Sequence, residues 1–79
     1  MPELRGIRPR DAIKAFERAG GVRRGGKGDH INIKMPNGQL VTLVLETSPI
    51  GIGLLKAMIR KAGLTDEEFV QLLKDQARP

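Results

Sequence analysis

The 79-residue chain has no cysteine, no tryptophan and no tyrosine, and it carries only two phenylalanines and one histidine. Without cysteine there are no disulfides and no thiolate metal sites, which fits a reducing cytoplasm. With so few aromatic rings, the core falls to Ile, Leu, Val, Met and Ala. Long apolar stretches are missing as well. The run around Leu43–Leu45 is far short of the roughly 20 residues that a membrane span needs, and the first residues lack the apolar stretch of a signal peptide. A chain this short hides only about 60% of the surface its unfolded form exposes. One domain over residues 1–79 is expected, soluble and cytoplasmic, with modest stability and no deep enclosed pocket.

Acidic side chains are outnumbered, 9 to 14, for a net charge of +5. Residues 1–28 hold eight basic and three acidic side chains, whereas residues 63–79 hold two basic and four acidic. The positive field is therefore carried by the first third of the chain, and it predicts attraction to a polyanion or to an acidic protein. Stacking of splayed bases, on which most sequence-specific recognition of single strands rests, has no platform here if both phenylalanines are core residues. Recognition of a phosphate backbone by charge stays open.

Glycine and proline punctuate a series of short elements. Pro9 suits the first turn of a helix, with Ala12, Ile13, Phe16 and Ala19 at helical spacing and Gly20-Gly21 ending it. Residues 22–25 can form a short strand. From His30 to Met35, the apolar Ile31, Ile33 and Met35 alternate with His30, Asn32 and Lys34, so His30 falls on a wet face. Lys34 to Gln39 reads as a turn in which Asn37-Gly38 supplies the positive φ angles of a tight hairpin. Gln39 to Leu45 is apolar on both faces, the mark of a more buried strand or of one covered by a partner.

A second helix follows on Leu54, Leu55, Met58, Ile59 and Ala62, closed by Gly63-Leu64. Thr65 and Glu68 fit a capping box, and Leu64 with Phe69 a hydrophobic staple, so a last short helix begins there with Phe69, Leu72 and Leu73 inward. The expected fold class is α+β, with helices on one face of three antiparallel strands and the other face free.

The stretch Arg24-Gly25-Gly26-Lys27-Gly28-Asp29-His30 carries the densest chemical information. Three glycines bring backbone N–H groups close to an anion, and Lys27 and His30 flank the same spot. It is not a P-loop, since no Gly-Lys-Ser or Gly-Lys-Thr opens a helix, and a plain flexible β turn has the same composition. Histidine is the only residue type in this chain whose ordinary titration range spans neutrality, which makes His30 the candidate acid–base group. With no second histidine and no cysteine, a zinc site cannot be completed. Asp29 and Glu46 could contribute to a magnesium site, although their spacing does not require one. Arg23, Arg24, Lys27, Gly28, Lys56 and Arg60 are candidate phosphate contacts. Arg5, Arg8 and Arg10 precede the first helix and read equally well as a frayed basic arm.

Four of these segments together resemble the HicA-like messenger-RNA interferase toxins. Pro9–Gly20 is similar to the family's first helix, Lys27-Gly28-Asp29-His30 to its Lys-Gly-Ser/Asp-His signature, Pro36-Asn37-Gly38 to its hairpin turn, and Gly53–Leu64 to its second helix ending in Ala-Gly-Leu. The resemblance implies a fold like the double-stranded RNA-binding domain with a short extra C-terminal helix. It also implies endoribonuclease activity on mRNA without metal or other cofactor, and silencing by a HicB-type antitoxin. The signature histidine corresponds to His30, which would assist attack of a ribose 2′-hydroxyl on its own phosphate while Lys27 and the Gly25–Gly28 N–H groups stabilise the charge. The chain departs from many relatives at Gly21, where they carry an aromatic residue, at Ile31, where they carry a polar one, and at Leu54, where they carry Thr. The segment Glu46–Ile52 also lacks a histidine often found there. Two other readings are a non-catalytic RNA-binding module on the same scaffold and a basic domain that binds only an acidic protein.

Overall fold

A computed structural model describes residues 3–74, so the ends of the domain expected over 1–79 lie outside the described residues. The elements run α1 (Pro9–Arg18), β1 (Val22–Arg24), β2 (His30–Lys34), β3 (Leu40–Val44), α2 (Ile52–Lys61) and α3 (Asp66–Lys74). This is the α+β order expected from the sequence: a helix, three antiparallel strands and two helices.

Pro9 opens α1, Asp11 sits in its first turn and Arg18 in its last, each placed favourably for the helix dipole. Its inner stripe is Ala12, Ile13, Ala15 and Phe16, all buried. The helix ends close against the sheet: a Cβ on Gly21 would stand 2.6 Å from Ile33 Cγ2, 2.8 Å from the Phe16 carbonyl oxygen and 2.9 Å from Met35 Sδ. Only glycine permits this approach. The departure from relatives at Gly21 therefore has a packing reason. So does that at Ile31, which is half-buried against the core side of β2.

Upstream of α1 the chain is not a frayed arm. Leu4 and Ile7 are buried, Arg10 lies inside the helix, and the Ile7 carbonyl accepts the Ile50 N–H at 2.8 Å. Leu4 and Ile7 are spaced by three, but too few apolar neighbours surround them to mark a core segment in advance.

The strands pair in the order β1-β2-β3, with Arg24 opposite Asn32 and Asn32 opposite Thr42. Alternation sends Ile33, Val41 and Leu43 into the core, and Arg24, His30, Asn32, Lys34, Leu40, Thr42 and Val44 to the outer face. β3 differs from the expectation of a more buried strand. It lies at the sheet edge, and Leu40 and Val44 stay about 40% exposed because the helices cover one face only.

The hairpin turn differs too. Only Gly38 has positive φ, at 88°. The Met35 carbonyl accepts the Gly38 N–H and the Gln39 carbonyl accepts the Met35 N–H, which makes a three-residue loop closed by a left-handed glycine in place of a two-residue turn. Asn37 is freed for another task. Its side chain accepts the Gln39 N–H at 2.9 Å and donates to the Lys61 carbonyl at 3.0 Å, pinning the turn to the end of α2.

In α2 the inward stripe is Leu55, Met58, Ile59 and Ala62, without Leu54, which is 62% exposed. At 100° per residue Leu54 falls on the flank of that stripe, beyond the cover of the sheet edge. The helix closes with Gly63 N–H on the Arg60 carbonyl and Leu64 N–H on the Ile59 carbonyl, both 3.0 Å. The capping box forms as expected: Thr65 N–H donates to Glu68 Oε1 at 2.8 Å and Glu68 N–H to Thr65 Oγ1 at 3.1 Å.

Helix α3 then lays Phe69 against Phe16, ring centroids 5.1 Å apart, and Arg18 donates to the Leu72 carbonyl at 2.6 Å. Phe69 is fully buried. Phe69→Ala is expected to cost about 3–5 kcal/mol, a large share of what a small domain has, whereas Leu54→Ala should change stability by less than about 0.5 kcal/mol. Urea unfolding of the two variants checks this contrast.

Candidate functional site

His30 is the first residue of β2, exposed on the outer face, with Val44 opposite it on β3. It is delivered there by the loop that leaves β1. The His30 N–H donates to the Lys27 carbonyl at 3.0 Å, closing a turn in which Gly28 has φ 58°. The next residue back, Asp29, accepts the Leu45 N–H at 2.7 Å and so ties the loop's far side to β3.

Two neighbours fix the loop's near side. A Cβ on Gly26 would run into the His30 carbonyl oxygen, so the loop folds onto the strand in a way only glycine allows at that position. Asn32 Nδ2 donates to the Gly25 carbonyl at 2.8 Å, and the Thr42 hydroxyl donates to Asn32 Oδ1 at 2.7 Å. The loop is thereby hung from two side chains, Asn32 on β2 and Thr42 on β3. Sequence reading passed over Asn32. The signal was its place on the wet face of β2, two residues from His30 and opposite Thr42 by the hairpin register. The N–H groups of Gly26, Lys27 and Gly28 donate to no protein acceptor among the described residues, so they remain available to an anion.

The candidate phosphate contacts divide into two groups. Arg24, Lys27 and Gly28 lie with His30 on the outer face or its loop, joined by Lys34, which the sequence reading had not chosen. Arg23 turns the other way, opposite buried Ile33, and its Nε lies 3.4 Å from Glu17 on α1. Lys56 and Arg60 belong to α2, in the helix layer, and the Lys56 ammonium is 3.9 Å from Asp66. A strand lying on the outer face meets the first group, and reaches the second only by wrapping around the domain.

Asp29 and Glu46 do not assemble a metal cluster. Among the described residues, no group of three or more His, Asp or Glu side chains is arranged to hold a metal ion. Also among them, no helix is long and apolar enough to cross a membrane.

A helix followed by three antiparallel strands and a helix, with the outer sheet face open and bearing basic residues, defines a protein of the double-stranded-RNA-binding-domain-like class. A family model described as the HicA toxin of bacterial toxin–antitoxin systems matches residues 9–64, from the start of α1 to the close of α2, and the chain belongs to that family. Its role is that of a toxin, with an antitoxin as partner. No curated protein matches the chain.

The two glycines at the loop's start separate crowding from flexibility, since a Cβ on Gly25 meets nothing within 4 Å. Gly26→Ala is expected to cost about 1–3 kcal/mol, lowering the thermal midpoint by several degrees or more, while Gly25→Ala should be close to neutral. Calorimetry on both variants reads the difference directly.

Proposed function

We propose that this toxin is an endoribonuclease that cleaves messenger RNA in the cytoplasm without a metal ion, with His30 as its catalytic acid–base group, residues 1–79 acting as one domain. The observation that carries the reading is the juxtaposition of His30 with the anion-ready loop Gly25–Gly28: one exposed imidazole, Lys27 beside it, and loop N–H groups without protein acceptors.

In this mechanism, the RNA backbone lies on the outer face, its phosphates held by Arg24, Lys27 and Lys34. His30 removes the proton from a ribose 2′-hydroxyl as that oxygen attacks the adjacent phosphorus. The P–O5′ bond breaks, the departing 5′-oxygen takes a proton from solvent at the open face, and a 2′,3′-cyclic phosphate and a free 5′-hydroxyl remain. Charge building on the non-bridging phosphate oxygens is met by Lys27 and by the N–H groups of Gly26 and Gly28, donors already in place before the reaction. Asn32 acts as a positioning residue, because it holds the loop that carries them.

The antitoxin, of HicB type in this reading, silences the enzyme by covering His30 and the outer face. Binding there would also add stability to a small domain by mass action. Cleavage in a chelator separates this proposal from both alternatives, a non-catalytic RNA-binding module and a domain that binds only protein.

His30→Ala is expected to leave the thermal midpoint and RNA affinity close to wild type, because His30 is exposed and fills no part of the core. Cleavage measured in the presence of a chelator should fall by about 100- to 10,000-fold. Retained cleavage would remove His30 from the mechanism, and a collapsed midpoint would make it a structural residue. RNA affinity should also fall steeply with added salt, since phosphate neutralisation drives it, and titrations at several salt concentrations check the slope.

A further inference from the structure

The edge of the sheet at β3 is not protected in the way exposed edges usually are. Leu40–Val44 contains no charge and no proline, the residues that commonly blunt an edge. In the β2–β3 ladder, Gln39 and Leu45 make their bonds toward β2, at Met35 and Asp29. Antiparallel alternation then directs the Val41 and Leu43 amides inward to β2, and those of Leu40, Thr42 and Val44 outward into solvent. Most of the exposed large apolar side chains gather along this same border: Leu40, Val44 and Leu45 from the strand region and Ile52 and Leu54 from α2.

The pattern along the edge is symmetric. Thr42 stands at the centre, with an outward-facing apolar residue two positions away on each side, Leu40 and Val44. Charged side chains stand at both ends of the border, and Glu46, at one end, also shares a pocket with Arg8, Arg10 and Asp11. Lys61 lines the groove beside Leu40, Glu46 lines the groove beside Val44, and neither forms an ion pair among the described residues.

We propose that this edge pairs with the same edge of a second copy of the chain, β3 antiparallel to β3 about a two-fold axis at Thr42, giving one six-stranded sheet. In that register, Thr42 faces Thr42 and Leu40 faces Val44, so each outward N–H donates to the outward carbonyl of the residue it faces across the seam. Lys61 of each copy meets Glu46 of the other, twice over. Leu54 of each copy approaches the seam from the helix side, where its exposed side chain gains cover. The outer faces join into one surface carrying two His30 residues and both glycine loops. The pairing depends on edge geometry and end charges, and holds whether or not the chain cleaves RNA.

Sedimentation equilibrium of the 79-residue chain over a range of concentrations is expected to show a monomer–dimer equilibrium. Lys61→Glu alone and Glu46→Lys alone should each weaken the dimer, by about tenfold, because each turns two attractive contacts into repulsive ones. The double variant should return to near wild-type association, a rescue that only a self-complementary seam produces. The chain has no cysteine of its own, so Thr42→Cys tests the axis directly. Facing residues of a hydrogen-bonded pair have Cα atoms about 5.5 Å apart, within disulfide reach. Mild oxidation should link that variant into dimers and leave Val22→Cys, on the opposite edge, unlinked. A chain that stays monomeric at every concentration and whose Thr42→Cys form does not cross-link would overturn the proposal. Protection of the Leu40, Thr42 and Val44 amides from exchange only in a complex with the antitoxin would overturn it too, by giving the edge to that partner.

Discussion

Phe16 is the side chain on which both layers of this domain depend. It is fully buried, it sits in the stripe of α1 that faces the sheet, and its ring meets Phe69 of α3. A three-stranded sheet has too little inner surface to make a core alone, and α1 covers it only because Gly21 lets the helix end pass within contact distance of Ile33 and Met35. The aromatic pair then holds α3 against α1, through a helix that begins beyond the segment matched to the family. Two rings in 79 residues are thus both committed to packing. The outer face is left without a phenylalanine, so in the proposed function its recognition works chiefly through charge and backbone amides.

What the packing leaves free, the site uses. The glycine loop between β1 and β2 makes no contribution to the core, yet four attachments restrain it: His30 N–H to Lys27, Leu45 N–H to Asp29, Asn32 to Gly25, and Thr42 behind Asn32. Polar side chains on the wet face of a sheet usually bond to water. Here two of them bond to each other and to the loop, which fixes the loop's backbone against the sheet.

Much of this was legible in the sequence because local signals agreed with the tertiary outcome. Pro9, the capping box at Thr65 and Glu68 and the closing Gly63-Leu64 each describe a backbone event settled within a few residues, and the structure forms all of them. The alternation from Ile31 to Met35 placed His30 outward correctly for the same reason. Apart from the hairpin, where a single left-handed glycine closes a three-residue loop, the readings that differ from the structure concern the position of an element relative to others. Gln39–Leu45 looked buried because its composition is apolar, but which strand is central depends on pairing order. Leu54 looked inward because it continues a stripe, but the sheet ends before reaching it. Arg23 and Arg24 are neighbours in sequence and part company across the sheet, so a list of basic residues could not say which share a face with His30.

That alternation has a consequence for how such a protein can diverge. Positions 24, 30, 32, 34, 40, 42 and 44 look outward, while 33, 41 and 43 hold the core, so the two sets are interleaved along the chain yet nearly independent in their energetic demands. Drift at Lys34 or Leu40 can reshape what the outer face recognises without opening a cavity beneath it. With the antitoxin covering this face, as proposed, toxin and antitoxin can exchange compensating substitutions, one pair at a time, and separate into lineages that no longer recognise one another while the scaffold stays the same.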